Sequence, residues 1–348
     1  MISTVSLLFA CSSSKPLRDT DRSTQSVDVD YSIIYLIHGD SDYLYHDSLG
    51  TARQADLEVL EEAIRIGKEA EHGEVFIFHQ RPEREVLWLF PRKDRQLLYY
   101  RKGELITETR YSPEGHGSGL YSAETRMLKR YGSSVDGIQN SVLLYFGHEI
   151  PYEDGRGYFQ SLPDRKMNTK LFSDGVAGLI PEAGRRFDLI VLSTCNNGSP
   201  DMVDALTPHS RFLLASPQNL HLSHMDTEEL SILESNAEIH AEKLADLISR
   251  ETYRRMTANL QTVVSLSLYD MQEVSSYVPE INAAYRNYLN SGSAADPGAE
   301  NVDCTDLSLF NSDSIFSKGV DIRYRPPRFG RQAHQQDHSG WGCKNRIH

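Results

Sequence analysis

The chain has 348 residues, 36 basic against 49 acidic, for a net charge of −13. That length admits one large or two modest domains with a sizeable core, and 39% hydrophobic content in recurring runs excludes full-length disorder. No stretch beyond the first few residues approaches the ~20 apolar residues of a spanning helix, and so negative a surface repels phosphate backbones, so no nucleic-acid partner is expected.

Residues 1–10, MISTVSLLFA, are short and apolar and read as a signal segment. Leu8-Phe9-Ala10-Cys11 is similar to a bacterial lipobox, in which Cys11 would become the lipidated terminus. No basic residue precedes the run, so a plain export signal or a disordered start stays open. Residues 11–30 are polar and aperiodic and read as a tether. The expectation is a lipid-anchored protein of the bacterial cell envelope, periplasmic or surface-exposed, touching membrane only through that anchor.

The folded part, 31–290, opens on YSIIYLIHGD, a buried strand ending in a turn. Leu57, Leu60 and Ile64 predict a helix over 52–67, and GEVFIFHQ (73–80) a second buried strand. Strand, helix and strand at this spacing begin a parallel α/β sheet. A β insertion follows, EVLWLFPR and then RQLLYYRKGELITETRY, with a hairpin turn at Lys102-Gly103. Ser122 starts a short helix through Tyr131.

The α/β pattern resumes with three strands: SVLLYFGHEIP (141–151), RFDLIVLSTCNN (186–197) and RFLLASPQNL (211–220). A helix is expected from Asp226 to about Arg250, with Leu230, Leu233, Ala237, Leu244 and Ile248 as its buried stripe. TVVSLSLYD (262–270) predicts the last strand, and a helix broken near Pro279 covers 271–289. Residues 291–300 read as a linker, and 301–348 as an irregular extension on the domain surface.

The chemistry is expected at the carboxyl ends of the strands, where α/β sheets bind ligands. Two successive strands end there in His148 and Cys195. Were they neighbours, the side chains would form a Cys–His dyad, with the thiolate as nucleophile and the imidazole as acid/base. Backbone N–H groups near Glu149 and Cys195 would receive the oxyanion. The 47-residue separation is close to the ~50 that separates His from Cys in caspases.

These strands resemble those of the clostripain-like cysteine peptidases, relatives of caspases, gingipains and separase. SVLLYFGHEIP matches the family's strand ending in His-Gly, FDLIVLSTCNNGSP the nucleophile strand, YSIIYLIHGDSDYL the first strand, and RFLLASPQNL the strand after the nucleophile. The resemblance spans about 31–269. It implies a caspase-like three-layer α/β sandwich with a mostly parallel central sheet, here with a β-hairpin insertion. It implies a cysteine endopeptidase acting on peptide or protein substrates, with Cys195 and His148 catalytic. No cofactor is required, although some relatives use calcium. Relatives often cut after Arg or Lys, which points to Asp226 or Asp201 as a pocket carboxylate. Relatives also process themselves between the two catalytic strands, where Arg156, Arg165, Lys166 and Lys170 lie. Glu149 replaces the family's glycine, and Asn196-Asn197 an apolar pair. These departures leave open a second reading, a catalytically impaired envelope lipoprotein that uses the fold for binding.

His38 also ends a strand and rivals His148. His221, His224 and His240 lack the H-E-x-x-H spacing, and no metal site is expected. Cys304 and Cys343 are expected to pair in an exported protein, the alternative being two free thiols.

Overall fold

The structure, a computed structural model, describes residues 28–40, 43–46, 51–82, 84–86, 90–92, 95–112, 118–152, 159–162, 165–182, 184–220, 224–290, 301–307 and 318–344. The N-terminal signal, Cys11 and tether to residue 27 lie outside these, as do Arg156, His221 and the 291–300 linker.

Nine strands build one sheet: β1 (Tyr31–His38), β2 (Gly73–Gln80), β3 (Arg95–Arg101), β4 (Glu104–Tyr111), β5 (Asn140–Phe146), β6 (Phe187–Ser193), β7 (Ser210–Ala215), β8 (Val264–Asp270) and β9 (Val320–Arg325). Their order is β9-β8-β7-β6-β5-β1-β2-β3-β4. The middle five, β7-β6-β5-β1-β2, are parallel. Two antiparallel strands flank them on each side. Buried on both faces, the parallel strands are near-continuous apolar runs, as such strands must be.

Helices cover both faces. Alternate side chains of β1 divide between two cores, Ile34 and Leu36 on one, Ile33, Tyr35 and Ile37 on the other. The first face is covered by α2 (Ser122–Tyr131), α3 (Thr169–Leu179), α4 (Pro200–Leu206) and α6 (Val278–Asn290), the second by α1 (Ala55–Glu69) and α5 (Ala241–Asn259). This is the expected three-layer α/β/α sandwich. The α3 start is capped by the Asn168 side chain on the Leu171 N–H at 2.9 Å. The β3–β4 hairpin turns on Lys102 and Gly103, both at positive φ, as a two-residue turn between right-twisted strands requires.

Two elements differ from expectation and a third agrees with it. The helix expected from Asp226 is interrupted: a 3₁₀ turn (Glu228–Ser231) and one helical turn (Ile232–Ser235) precede α5. Leu230, Leu233, Leu244 and Ile248 are nonetheless all buried, so the apolar stripe survives the break. The expected helix broken near Pro279 is found: one turn, Met271–Val274, precedes α6, and Pro279 stands in the first turn of α6, where its missing N–H costs nothing. The C-terminal region supplies β9 to the main sheet rather than only wrapping it. A second short pair, Asn301–Asp303 with Gly342–Lys344, is closed by a Cys304–Cys343 disulfide. Such a bridge fits folding in an oxidising compartment. No described helix is long and apolar enough to cross a membrane.

Candidate active site

Strand order reverses between β1 and β5, and it is at the carboxyl ends of strands at such a reversal that α/β sheets bind ligands. Asp40 lies just past β1, His148 just past β5 and Cys195 just past β6. The β5–β6 pairing runs from Leu189 against Val142 to Ser193 against Phe146, a constant offset of 47. Side-chain bonds extend this offset past the strands. Asn196 Nδ2 donates to Glu149 Oε2 at 2.7 Å. Asn197 accepts the Ile150 N–H at 2.9 Å and donates to the Ile150 carbonyl at 3.0 Å. His148 and Cys195 therefore occupy facing positions on adjacent parallel strands.

They also share a sheet face. Val142, Leu144 and Phe146 of β5 and Leu189 and Val191 of β6 belong to the second core, and Cys195 packs against that core. Continuing the alternation places His148 with Cys195. Residues one position along, Glu149 and Asn196, fall on the opposite side, where they bond each other.

His148 is a quarter exposed, and its Nε2 lies 2.9 Å from the Oδ2 of buried Asp40. Its ring packs against Tyr43 at 4.7 Å and Phe159 at 6.1 Å between centroids. A carboxylate here fixes the ring and compensates an imidazolium. Sequence reasoning left Asp40 as a turn residue. Its one signal was an acidic group at the carboxyl end of an apolar strand. The partly exposed thiol of Cys195 accepts the Leu220 N–H at 3.2 Å, a donor that favours thiolate charge. Asn197 is the second residue sequence reasoning missed. Its Oδ1 also accepts Thr194 Oγ1 at 2.5 Å, locking the two loops together. Asn196 has φ 59°, a left-handed conformation that asparagine tolerates better than most residues.

His38 is excluded from this pairing by geometry. It follows the alternation onto the first face, against Tyr145, Tyr121 and Phe159, with Nδ1 2.9 Å from Ser161 Oγ. Complete burial holds its pKa well below the ordinary histidine value.

The two carboxylates expected to line a specificity pocket already carry internal partners. Both oxygens of Asp226 accept Arg255 Nε at 2.8 Å, and Asp201 Oδ1 accepts Arg286 Nη2 at 2.7 Å. Asp226 also gathers with Glu62 and His224, their ligand atoms within 4.8 Å of one another. His224 Nε2 is 3.0 Å from Glu62 Oε1. With Arg255 on Asp226, the cluster is accounted for as ion pairs. His240 stands apart from it, edge-on to the Phe212 ring. Of the expected processing positions, Arg165 is bound to Ser118 and Gly119, and Lys170 pairs with Asp174 in the exposed first turn of α3.

No protein-family model matches the sequence, and no curated protein matches it. Solved structures do match the fold. One is a secreted C11 cysteine protease from Bacteroides thetaiotaomicron bound to an irreversible peptide inhibitor, at 14% identity and TM-score 0.50, covering 75% of this chain and 70% of that one. Another is an inactive zymogen C11 protease from Parabacteroides distasonis, at 13% and 0.55, covering 91% and 92%. A third is "iotapain", a secreted C11 cysteine protease from Bacteroides thetaiotaomicron, at 11% and 0.56, covering 91% and 94%. The chain thus has the fold of the C11, or clostripain-family, cysteine proteases over most of its length.

Proposed function

We propose that the protein is a cysteine endopeptidase. The observation that supports the reading is the β5–β6 register, whose offset of 47, continued past the strand ends, brings His148 level with Cys195 beside the reversal of strand order. In the proposed mechanism His148 takes the thiol proton, and Asp40 compensates the imidazolium. Cys195 Sγ attacks the peptide carbonyl, and backbone N–H groups at Glu149 and Cys195 hold the oxyanion. The tetrahedral intermediate collapses, breaking the C–N bond as His148 returns the proton to the leaving amine. Water, deprotonated by His148, then releases the acyl group.

The substrate is a peptide or protein, and the chain's own residues suffice for the chemistry. A preference for Arg or Lys rests on family likeness alone, since Asp226 and Asp201 already hold internal arginines. Self-processing is proposed at Lys166, an exposed residue between the catalytic strands. The disulfide supports an extracytoplasmic location, and the lipid anchor at Cys11 is proposed from its sequence context.

The test is a fluorogenic peptide library, varied at the residue before the scissile bond, with wild type beside Cys195→Ala and His148→Ala. Hydrolysis by wild type that falls to background in both variants is the expected result. A folded wild-type protein that cleaves nothing, with calcium supplied, overturns the reading in favour of a binding protein on this fold.

A further inference from the structure

The two departures beside the catalytic pair, Glu149 and Asn196, meet a third element from the far end of the chain. Glu149 Oε1 lies 3.0 Å from Lys344 Nζ, while Glu149 Oε2 accepts Asn196 Nδ2 at 2.7 Å. Glu149 and Lys344 are both partly buried, so their ion pair is less screened than one on the open surface. Asn196, immediately after the nucleophile, is held left-handed from several sides. Its N–H donates to the Gln218 carbonyl at 3.1 Å, and Nδ2 also donates to Asn219 Oδ1 at 3.2 Å. Its carbonyl accepts Asn301 Nδ2 at 3.4 Å.

Asn301 and Lys344 belong to one unit, the paired segments Asn301–Asp303 and Gly342–Lys344 closed by the Cys304–Cys343 disulfide. That strap lies directly on the loops that follow β6 and β7. The Gly342 N–H donates to the Gly198 carbonyl at 2.8 Å, and a Cβ at Gly342 would come within 1.9 Å of the Pro217 carbonyl oxygen. No side chain fits there. The strap is also anchored through Trp341, fully buried, and through the Lys344 N–H on Tyr285 at 2.9 Å. The contact is built backbone to backbone and delivers Lys344 to one place.

We infer that Lys344, presented by the disulfide-closed C-terminal strap, is a positioning residue of the Cys195–His148 centre. It compensates Glu149, and Glu149 with Asn301 holds the strained turn at Asn196 that orients Cys195 and the oxyanion N–H groups. The inference rests on the peptidase reading for its catalytic meaning. It turns residues that look like damage to a peptidase motif into parts of one coupled device. It also makes a peptidase of this kind dependent on a segment about 150 residues beyond its nucleophile.

The experiment compares full-length wild type, Lys344→Met, Lys344→Arg, Glu149→Gln/Lys344→Met and Cys304→Ser/Cys343→Ser. It reads kcat and KM on a cleaved peptide, the rate of Cys195 alkylation by iodoacetamide, and thermal unfolding. Lys344→Met is expected to lose ~10–100-fold in kcat with KM nearly unchanged, the pattern of misplaced oxyanion donors. Lys344→Arg should restore most of it. The Glu149→Gln/Lys344→Met pair should recover activity relative to Lys344→Met alone, because no uncompensated charge remains. The serine pair should behave like Lys344→Met; if it does not fold, the Lys344 series decides. Full kcat in Lys344→Met, or no recovery in the Glu149→Gln/Lys344→Met pair, overturns the inference. If wild type cleaves no peptide, the peptidase reading has failed and alkylation decides alone. Slower Cys195 alkylation in Lys344→Met, recovered in the Glu149→Gln/Lys344→Met pair, keeps Lys344 as the residue that sets the thiol; equal rates overturn that too.

Discussion

Asp40 shows how a single side chain gains meaning only from its neighbours. It closes β1 in a His-Gly-Asp turn, and nothing within that turn distinguishes it from an ordinary turn aspartate. The adjacency of β1 and β5 places its carboxylate 2.9 Å from His148 Nε2. Being 4% exposed, it sees little solvent screening. An amide there keeps the size but loses the charge that compensates an imidazolium. Asp40→Asn is therefore expected to lower kcat by ~10–100-fold with little change in KM. Steady-state kinetics on the peptide cleaved by wild type will check it. Unchanged kcat would remove Asp40 from the mechanism. The positions of His148 and Cys195 past neighbouring strands were legible because each closely follows an apolar run. Asp40 and Asn197 were not, because their roles depend on which strands are adjacent.

At the scale of elements, the β3–β4 hairpin is tied to the sheet body by a buried charge. Glu124, in the first turn of α2, accepts Arg95 Nη1 at 2.9 Å, Gln80 Nε2 at 3.0 Å and Tyr111 OH at 2.8 Å on one oxygen. Neither member of the ion pair is more than 4% exposed. Burial, and then the Glu124 charge, push the Tyr111 pKa well above its ordinary value, so the phenol stays a donor. Removing one member of such a pair strands the other without water. Arg95→Met is expected to destabilise by ~3–5 kcal/mol, and Glu124→Gln with Arg95→Met to recover much of that loss. Denaturant midpoints at unchanged m will show it. A cost below about 1 kcal/mol for the single variant would mean that the pair adds nothing net. The hairpin itself was legible from Lys102-Gly103 between alternating strands. The break at 236–240 was not, because the helical stripe runs through it without changing phase. Nor was β9 placed, although Val320 to Arg325 alternates apolar and charged residues, because its membership of the main sheet is set by its pairing with β8.

Across the whole molecule, buried histidines set a direction for acid stability. His38, His209 and His338 all have pKa values lowered chiefly by burial. They sit in three different places: at the carboxyl end of β1, beside α3, and against Asp303 of the strap. Each binds a proton more readily when unfolded, near the ordinary value of about 6.5. Between that value and the lower folded one, the unfolded state holds more protons, so stability rises with pH and falls on acidification. The loss therefore begins as pH drops through ~6.5, at up to ~1.4 kcal/mol per pH unit for each fully protected histidine. Glu62, Glu234 and Asp246 act in the same direction in a separate, more acid window. Hydrogen bonds and cationic partners lower their pKa values against the opposing effect of burial, so their stabilisation is lost only at more acid pH, below the ordinary carboxylate range. Thermal unfolding from pH 7.5 to 5.0 should thus show a fall in Tm before any carboxylate titrates, and His38→Gln should make that fall shallower. A Tm flat to pH 5.0 would mean that the three imidazoles gain protons without unfolding. Because His338 lies 3.6 Å from Asp303 of the strap, the same acidification works on the segment that carries Lys344 to Glu149. Activity measured beside Tm should then decline no later than global unfolding.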